Sequence, residues 1–156
     1  MIRSPLTLMT AAALALLGPL AVSAQDDEAL QRAIDARQAH MQLYAHNLGI
    51  LGGMARGNIP YDADMAAAAA ADLGHLTRVS QQAYWPEGSD IMMEGSNALP
   101  AIWDNLDDVF AKSGDLVEAV AAMEAVAGDG LEAVQGRMQA LGGACVACHR
   151  EYQQEN

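Results

Sequence analysis

Apolar positions recur along this chain at steps of three and four, the spacing that puts side chains on one face of an α-helix. Over Asp27 to about Arg56 the seam is Leu30, Ile34, Arg37, Met41, Tyr44, Leu48 and Leu51. Arg37 interrupts it, and a charge there must find a counter-charge or reach water. Gly52, Gly53, Gly57 and Pro60 end this first helix. Asp62 or Asp64 caps a second, which runs through the alanines at 66–71, past Leu76 and Val79, to about Gln82. Those alanines give high helix propensity and little volume, so another helix, of this chain or of a second copy, can approach closely.

Periodicity lapses from Tyr84 to Asn97, where Pro86, Gly88 and Gly95 indicate a loop. Some of Trp85, Met92 and Met93 in this loop are expected to fold onto the helices or over the edge of a bound group. A third helix is expected from Ser96 or Asn97, with Pro100 in its first turn. Its apolar positions are Trp103, Leu106, Phe110, Leu116, Val117, Val120, Met123 and Val126, and Gly128 and Gly130 break it. The fourth carries Leu131, Val134, Met138, Leu141, Cys145, Cys148 and Tyr152, again in steps of three and four. Four amphipathic helices joined by short to moderate loops predict an all-α fold, an antiparallel, up-down-up-down four-helix bundle. The abundance of alanine and an aromatic content of 4% point the same way.

Residues 1–24 read as a signal peptide: Arg3 precedes an apolar run from Leu6 to Leu20 and the small-residue site Val22-Ser23-Ala24. A retained anchor is disfavoured by Gly18 and Pro19 and by a run short of the roughly 20 residues that span a bilayer. Cleavage leaves residues 25–156 as one domain, exported to the periplasm. It also removes Arg3, taking the formal charge from −12 to −13. That charge excludes nucleic acid and anionic lipid as partners, and suits either plain solubility or redox partners with basic docking surfaces.

The candidate chemistry lies in Cys145-Val146-Ala147-Cys148-His149, which holds both cysteines of the chain. Cys-x-x-Cys-His is the attachment signature of c-type haem, in which two thiols add across the porphyrin vinyl groups and the imidazole becomes the proximal iron ligand. On a helix the three side chains share roughly one face, as attachment to a flat ring requires. Gly142 and Gly143 cost the helix about 1 kcal/mol each one turn earlier, a cost a ring packed against backbone would justify. A thioredoxin-like dithiol would need a βαβ setting, and no strand-like alternation precedes the motif. Zinc would need more ligands at metal spacing, and a disulfide across two residues of a helix is awkward and closes almost no loop. One covalent haem c, held by Cys145 and Cys148 and ligated by His149, is therefore expected. No acid–base pair or nucleophile suggests an enzyme, and His40, His46 and His75 lack ligand-like spacing with His149.

The chain as a whole resembles the class II cytochromes c, the cytochrome c prime family. The pieces that carry the resemblance are Ala36-Arg37-Gln38 with Met41 one turn on, Arg56-Gly57-Asn58-Ile59-Pro60-Tyr61-Asp62, Pro100-Ala101-Ile102-Trp103, Leu141-Gly142-Gly143-Ala144 and the terminal haem motif. The resemblance implies that Met41 faces the distal side of the haem and that Arg37 lies near a propionate. It leaves two schemes at Met41. In one, Met41 is the sixth iron ligand and the protein carries electrons. In the other, the iron is five-coordinate and high-spin, Met41 only walls the pocket, and nitric oxide or carbon monoxide binds. A basic residue commonly follows the aromatic after the family's haem motif; here Tyr152 is followed by Gln153, which weakens a proximal route for gas. The alanine surface and the heptad spacing of the first helix suggest a homodimer.

Overall fold

Helices account for nearly all the regular structure in the computed structural model, which describes residues 18–155 and, within the first helix, side chains from Asp26 on. The order is α1 (Gly18–Ala55), α2 (Ala63–Thr77), a 3-10 turn at Gln82–Tyr84, α3 (Ala101–Asp104), α4 (Leu106–Glu124) and α5 (Leu131–Tyr152). Helix α1 packs on α2 and α5, and α4 packs on the same two, so the four long helices close a ring. That is the expected four-helix bundle, with α3 as an added turn.

Most helix ends fall where the local chemistry places them. Asp62 is the N-cap of α2, in extended conformation, and its carboxylate accepts from the Met65 amide at 2.8 Å. Gly130 precedes α5 with φ of +132°, a conformation that β-carbons disfavour. α2 stops at Thr77, about five residues before the expected end, as the chain reaches the weak helix formers Val79 and Ser80. α1 is described from Gly18, within the segment expected to be cleaved; residues 1–17 of that segment lie outside the described residues.

The expected third helix is two. Asn105 leaves helical geometry at φ −135° and ψ 40°, and its side-chain amide donates to the Ala101 carbonyl at 2.9 Å. A short polar side chain that takes over a helix carbonyl competes with the backbone ladder, and the helix restarts at Leu106. The buried side of α4 is consequently Val109, Lys112, Leu116, Val120 and Met123, whereas Leu106, Phe110 and Val117, expected in the seam, face outward.

The core divides in two. Tyr44, Leu51 and Met54 of α1, Ala66, Ala69, Ala70 and Leu73 of α2, Val120 and Met123 of α4, and Val134 and Leu141 of α5 form one dense cluster. Three of the alanines thus pack within the chain, while Ala67 and Ala68 stay exposed. A smaller cluster of Ala98, Ile102 and Tyr152, with Trp85, Trp103, Val109 and Cys148 against it, occupies the other end. Asp62→Ala should cost about 1 kcal/mol by removing the cap of α2; urea denaturation of the two proteins measures it, with an unchanged slope expected.

Candidate haem site

Within the smaller cluster the side chains enclose space instead of filling it. A cavity of about 150 Å³ is walled by Arg37, Gln38 and Met41 of α1, by Trp85, Asn97, Ala98, Ile102 and Val109, and by Cys148, His149, Tyr152 and Gln153. That exceeds the ~30 Å³ share of one water in the liquid. The fold therefore brings together four of the five residues singled out from sequence: Arg37, Met41, Cys148 and His149. The fifth, Cys145, is half-buried one turn earlier on α5, and both thiols are free. Cys145 also helps burial push the Tyr44 hydroxyl up to about 12.

Helix α5 delivers the motif as a helical face. Burial raises both thiols above their ordinary range, with Lys112 pulling Cys148 the other way. Desolvation lowers the pKa of the His149 imidazole although the residue is partly exposed, which favours the neutral form that can ligate a metal. A Cβ added at Gly142 or Gly143 would meet nothing within 4 Å, so the backbone before the thiols is bare. The outer end of α5 is pinned by Tyr152, whose hydroxyl donates to Asp108 at 2.6 Å, and by Lys112, which lies 3.3 Å from Asp108 and 3.8 Å from Glu151. The Tyr152 bond comes first among the causes that hold Asp108 below the usual carboxylate range.

Helix α1 contributes the opposite wall. Arg37 is only 4% exposed, and among the described residues no carboxylate lies within 4.0 Å of it. Its guanidinium donates to Ser89 Oγ at 2.7 Å, to Ser96 Oγ at 2.6 Å and to the carbonyl of Ser89, and it stacks on Trp85 at 4.9 Å. Desolvation lowers its pKa, with Asp90 opposing. Sequence reasoning saw that this charge needed a partner but had no signal for two distant serines. Those contacts hold the 84–99 segment as a strap over the cavity, helped by Gln38 donating to the Gly95 carbonyl and by Trp103 donating to the Trp85 carbonyl at 3.1 Å. The far side of the strap is bonded to the end of α5, from Leu99 N to Tyr152 O at 2.9 Å and from Gln154 N to Asn97 O at 2.8 Å. Trp85 joins the site as expected of the loop aromatics, whereas Met92 is 85% exposed.

His40 is buried, with its Nε2 unpartnered, and its ring lies 4.8 Å from Tyr44 and 5.8 Å from Tyr84. It packs beside the site without lining the cavity, and His46 and His75 are exposed.

The donor set fits a haem c. Two free thiols and a neutral imidazole share a helix, an apolar enclosure faces them, and a buried cation without a carboxylate suits an acidic group on the ring. The sequence profile described as Cytochrome C' matches residues 32–153. Cytochrome c-554 of Cereibacter sphaeroides is 45% identical over 134 residues, covering 85% of this chain and 88% of its own. Among solved structures, a cytochrome c' from Rhodobacter spheriodes superposes with a TM-score of 0.79 at 34% identity, covering 81% of this chain and 98% of its own. A ferrous cytochrome c prime variant from Alcaligenes xylosoxidans with bound NO gives 0.71 at 25% identity, covering 81% and 97%. The chain belongs to the cytochrome c' family: it is a class II c-type cytochrome, and its cofactor is covalent haem c.

Arg37→Lys keeps the charge but cannot span both serines. Losing one charge-assisted bond of about 1.5–3 kcal/mol should speed amide exchange in the 84–98 strap by about tenfold or more, measured by hydrogen exchange, with the α2 amides unchanged.

Proposed function

We propose that the chain is a periplasmic haem protein, released by cleavage after Ala24, whose iron takes up nitric oxide or carbon monoxide on the side that Met41 faces. The observation that carries this reading is that His149 of α5 and Met41 of α1 wall the same cavity, so an iron held by His149 could take up a small ligand in the space that Met41 lines. Cys145 and Cys148 are the residues that would hold a haem c, through two thioethers. The His149 imidazole would ligate the iron, and Arg37 would offer its charge to a propionate. Trp85, Ile102 and Val109 keep water from the enclosure. The bound haem supplies a one-electron iron couple. The family's description and the NO-bound neighbour favour the gas-binding reading, and Gln153 after Tyr152 favours distal over proximal entry.

The position of Met41 favours a second reading, in which its sulfur is the sixth ligand and the protein carries electrons. A thioether needs no proton loss to ligate iron and raises the reduction potential. One absorption spectrum separates the two. A high-spin ferric spectrum at neutral pH supports the gas-binding reading; a low-spin spectrum with a thioether charge-transfer band supports the second. In that second case Met41→Ala should turn the spectrum high-spin, lower the potential and speed carbon monoxide binding to the ferrous protein. Under either reading, acid–acetone should leave the haem on the chain, and colour in the organic phase would sink the assignment of Cys145 and Cys148. A homodimer is proposed through the outer faces of α1 and α2, where Leu43 is 52% and Met65 49% exposed. Sedimentation across a hundredfold dilution should show it dissociate, and a monomer throughout would refute it.

A further inference from the structure

Leu106, Phe110 and Val117, spaced four and seven residues apart, share one face of α4 and are 42%, 67% and 43% exposed. Exposed apolar side chains gathered on one face and rimmed by polar groups mark a contact surface. The surroundings are acidic: Asp107 and Glu118 flank this face on α4, Asp104 precedes its first turn, and all three are exposed. The base within that stretch, Lys112, is already engaged by Asp108 and Glu151. Beside Leu106 lies a hollow of about 400 Å³, lined by Trp103, Asp104, Asn105, Leu106, Asp107 and Asp108. The inner side of the same turn belongs to the site, since Val109 walls the cavity and Asp108 accepts from Tyr152. Face and site are thus about one helix thickness apart, roughly 10 Å.

We propose that this face, with Leu106 and Phe110 at its centre and Asp104 and Asp107 at its edge, docks the redox partner of the haem, a protein that presents lysines around an apolar patch. The assignment rests on the haem c reading, and both axial schemes need such a partner, because an iron that carries electrons or takes up carbon monoxide must first be reduced. The partner loses one electron and the haem iron gains it, with no bond made to either protein. Charge complementarity selects the occupant: an acidic rim steers a basic protein and repels an anionic membrane or a second copy of this chain. An apolar centre inside a charged rim matches the anatomy of protein interfaces. A lysine in the hollow would meet Asp104 and Asp107, with Asp108 already engaged by Tyr152 and Lys112, and would lie beside Trp103.

The test uses the haem-loaded protein and, as a basic probe, photoexcited zinc-substituted mitochondrial cytochrome c, which donates an electron to ferric haem. The bimolecular rate should fall about tenfold between roughly 10 mM and 200 mM salt. Asp104→Asn with Asp107→Asn should lower the low-salt rate about fivefold, and Phe110→Ser should lower it at both salt concentrations, with spectrum and potential unchanged. The pair Asp64→Asn and Asp72→Asn, an equal charge change on α2, should leave the rate near that of the unaltered protein. Amide shifts on titration with the probe should cluster at residues 103–118. Equal slowing by the α2 pair, or no slowing by either face variant, would overturn the assignment of the face alone. Absence of a haem spectrum from the unaltered protein would overturn the cofactor reading and the face with it.

Discussion

A guanidinium buried without a carboxylate governs the cavity end of this bundle. Arg37 sits in the seam of α1 where an apolar residue would pack, and the chain offsets its desolvation with neutral oxygens and an aromatic face. Because Ser89 and Ser96 belong to an otherwise irregular segment, satisfying the charge also fixes that segment over the cavity. The strap in turn holds the end of α5 through backbone bonds to Tyr152 and Gln154. One charged side chain on the helix of Met41 is thereby linked, through a loop, to the helix of His149.

The same residue explains why the site is partly preformed. Its remaining positive charge favours an anionic group in the enclosure, while Trp85, Ile102 and Val109 supply apolar walls for a macrocycle. Desolvation at the partly exposed His149 favours the neutral imidazole, the state that can ligate a metal. Family membership and donor chemistry therefore converge on one location. The proposed function turns on Met41, which lines the same cavity as His149.

How much could be read from the chain depended on how many faces satisfied its periodicity. In α1 and α5 one seam fits the spacing, and the residues assigned to it are buried or half-buried. In α4 two interleaved sets fit, Leu106-Phe110-Val117 and Val109-Leu116-Val120, and spacing alone cannot choose between them. Asn105 settles the matter through a side-chain bond to Ala101 that no periodicity reports. The haem motif was legible because its chemistry is local to five residues. The partners of Arg37 lie 52 and 59 residues away along the chain, so only the folded loop reveals them.

The split of the core into a dense cluster and a sparse one has a bearing on folding. The dense cluster draws on all four long helices and owes nothing to the haem, so it can form as a cooperative unit in the chain before attachment. The opposite end has a smaller cluster, of Ala98, Ile102 and Tyr152, beside an open cavity. A group held by the half-buried Cys145 and Cys148 would therefore add its apolar area at the sparser end of the bundle.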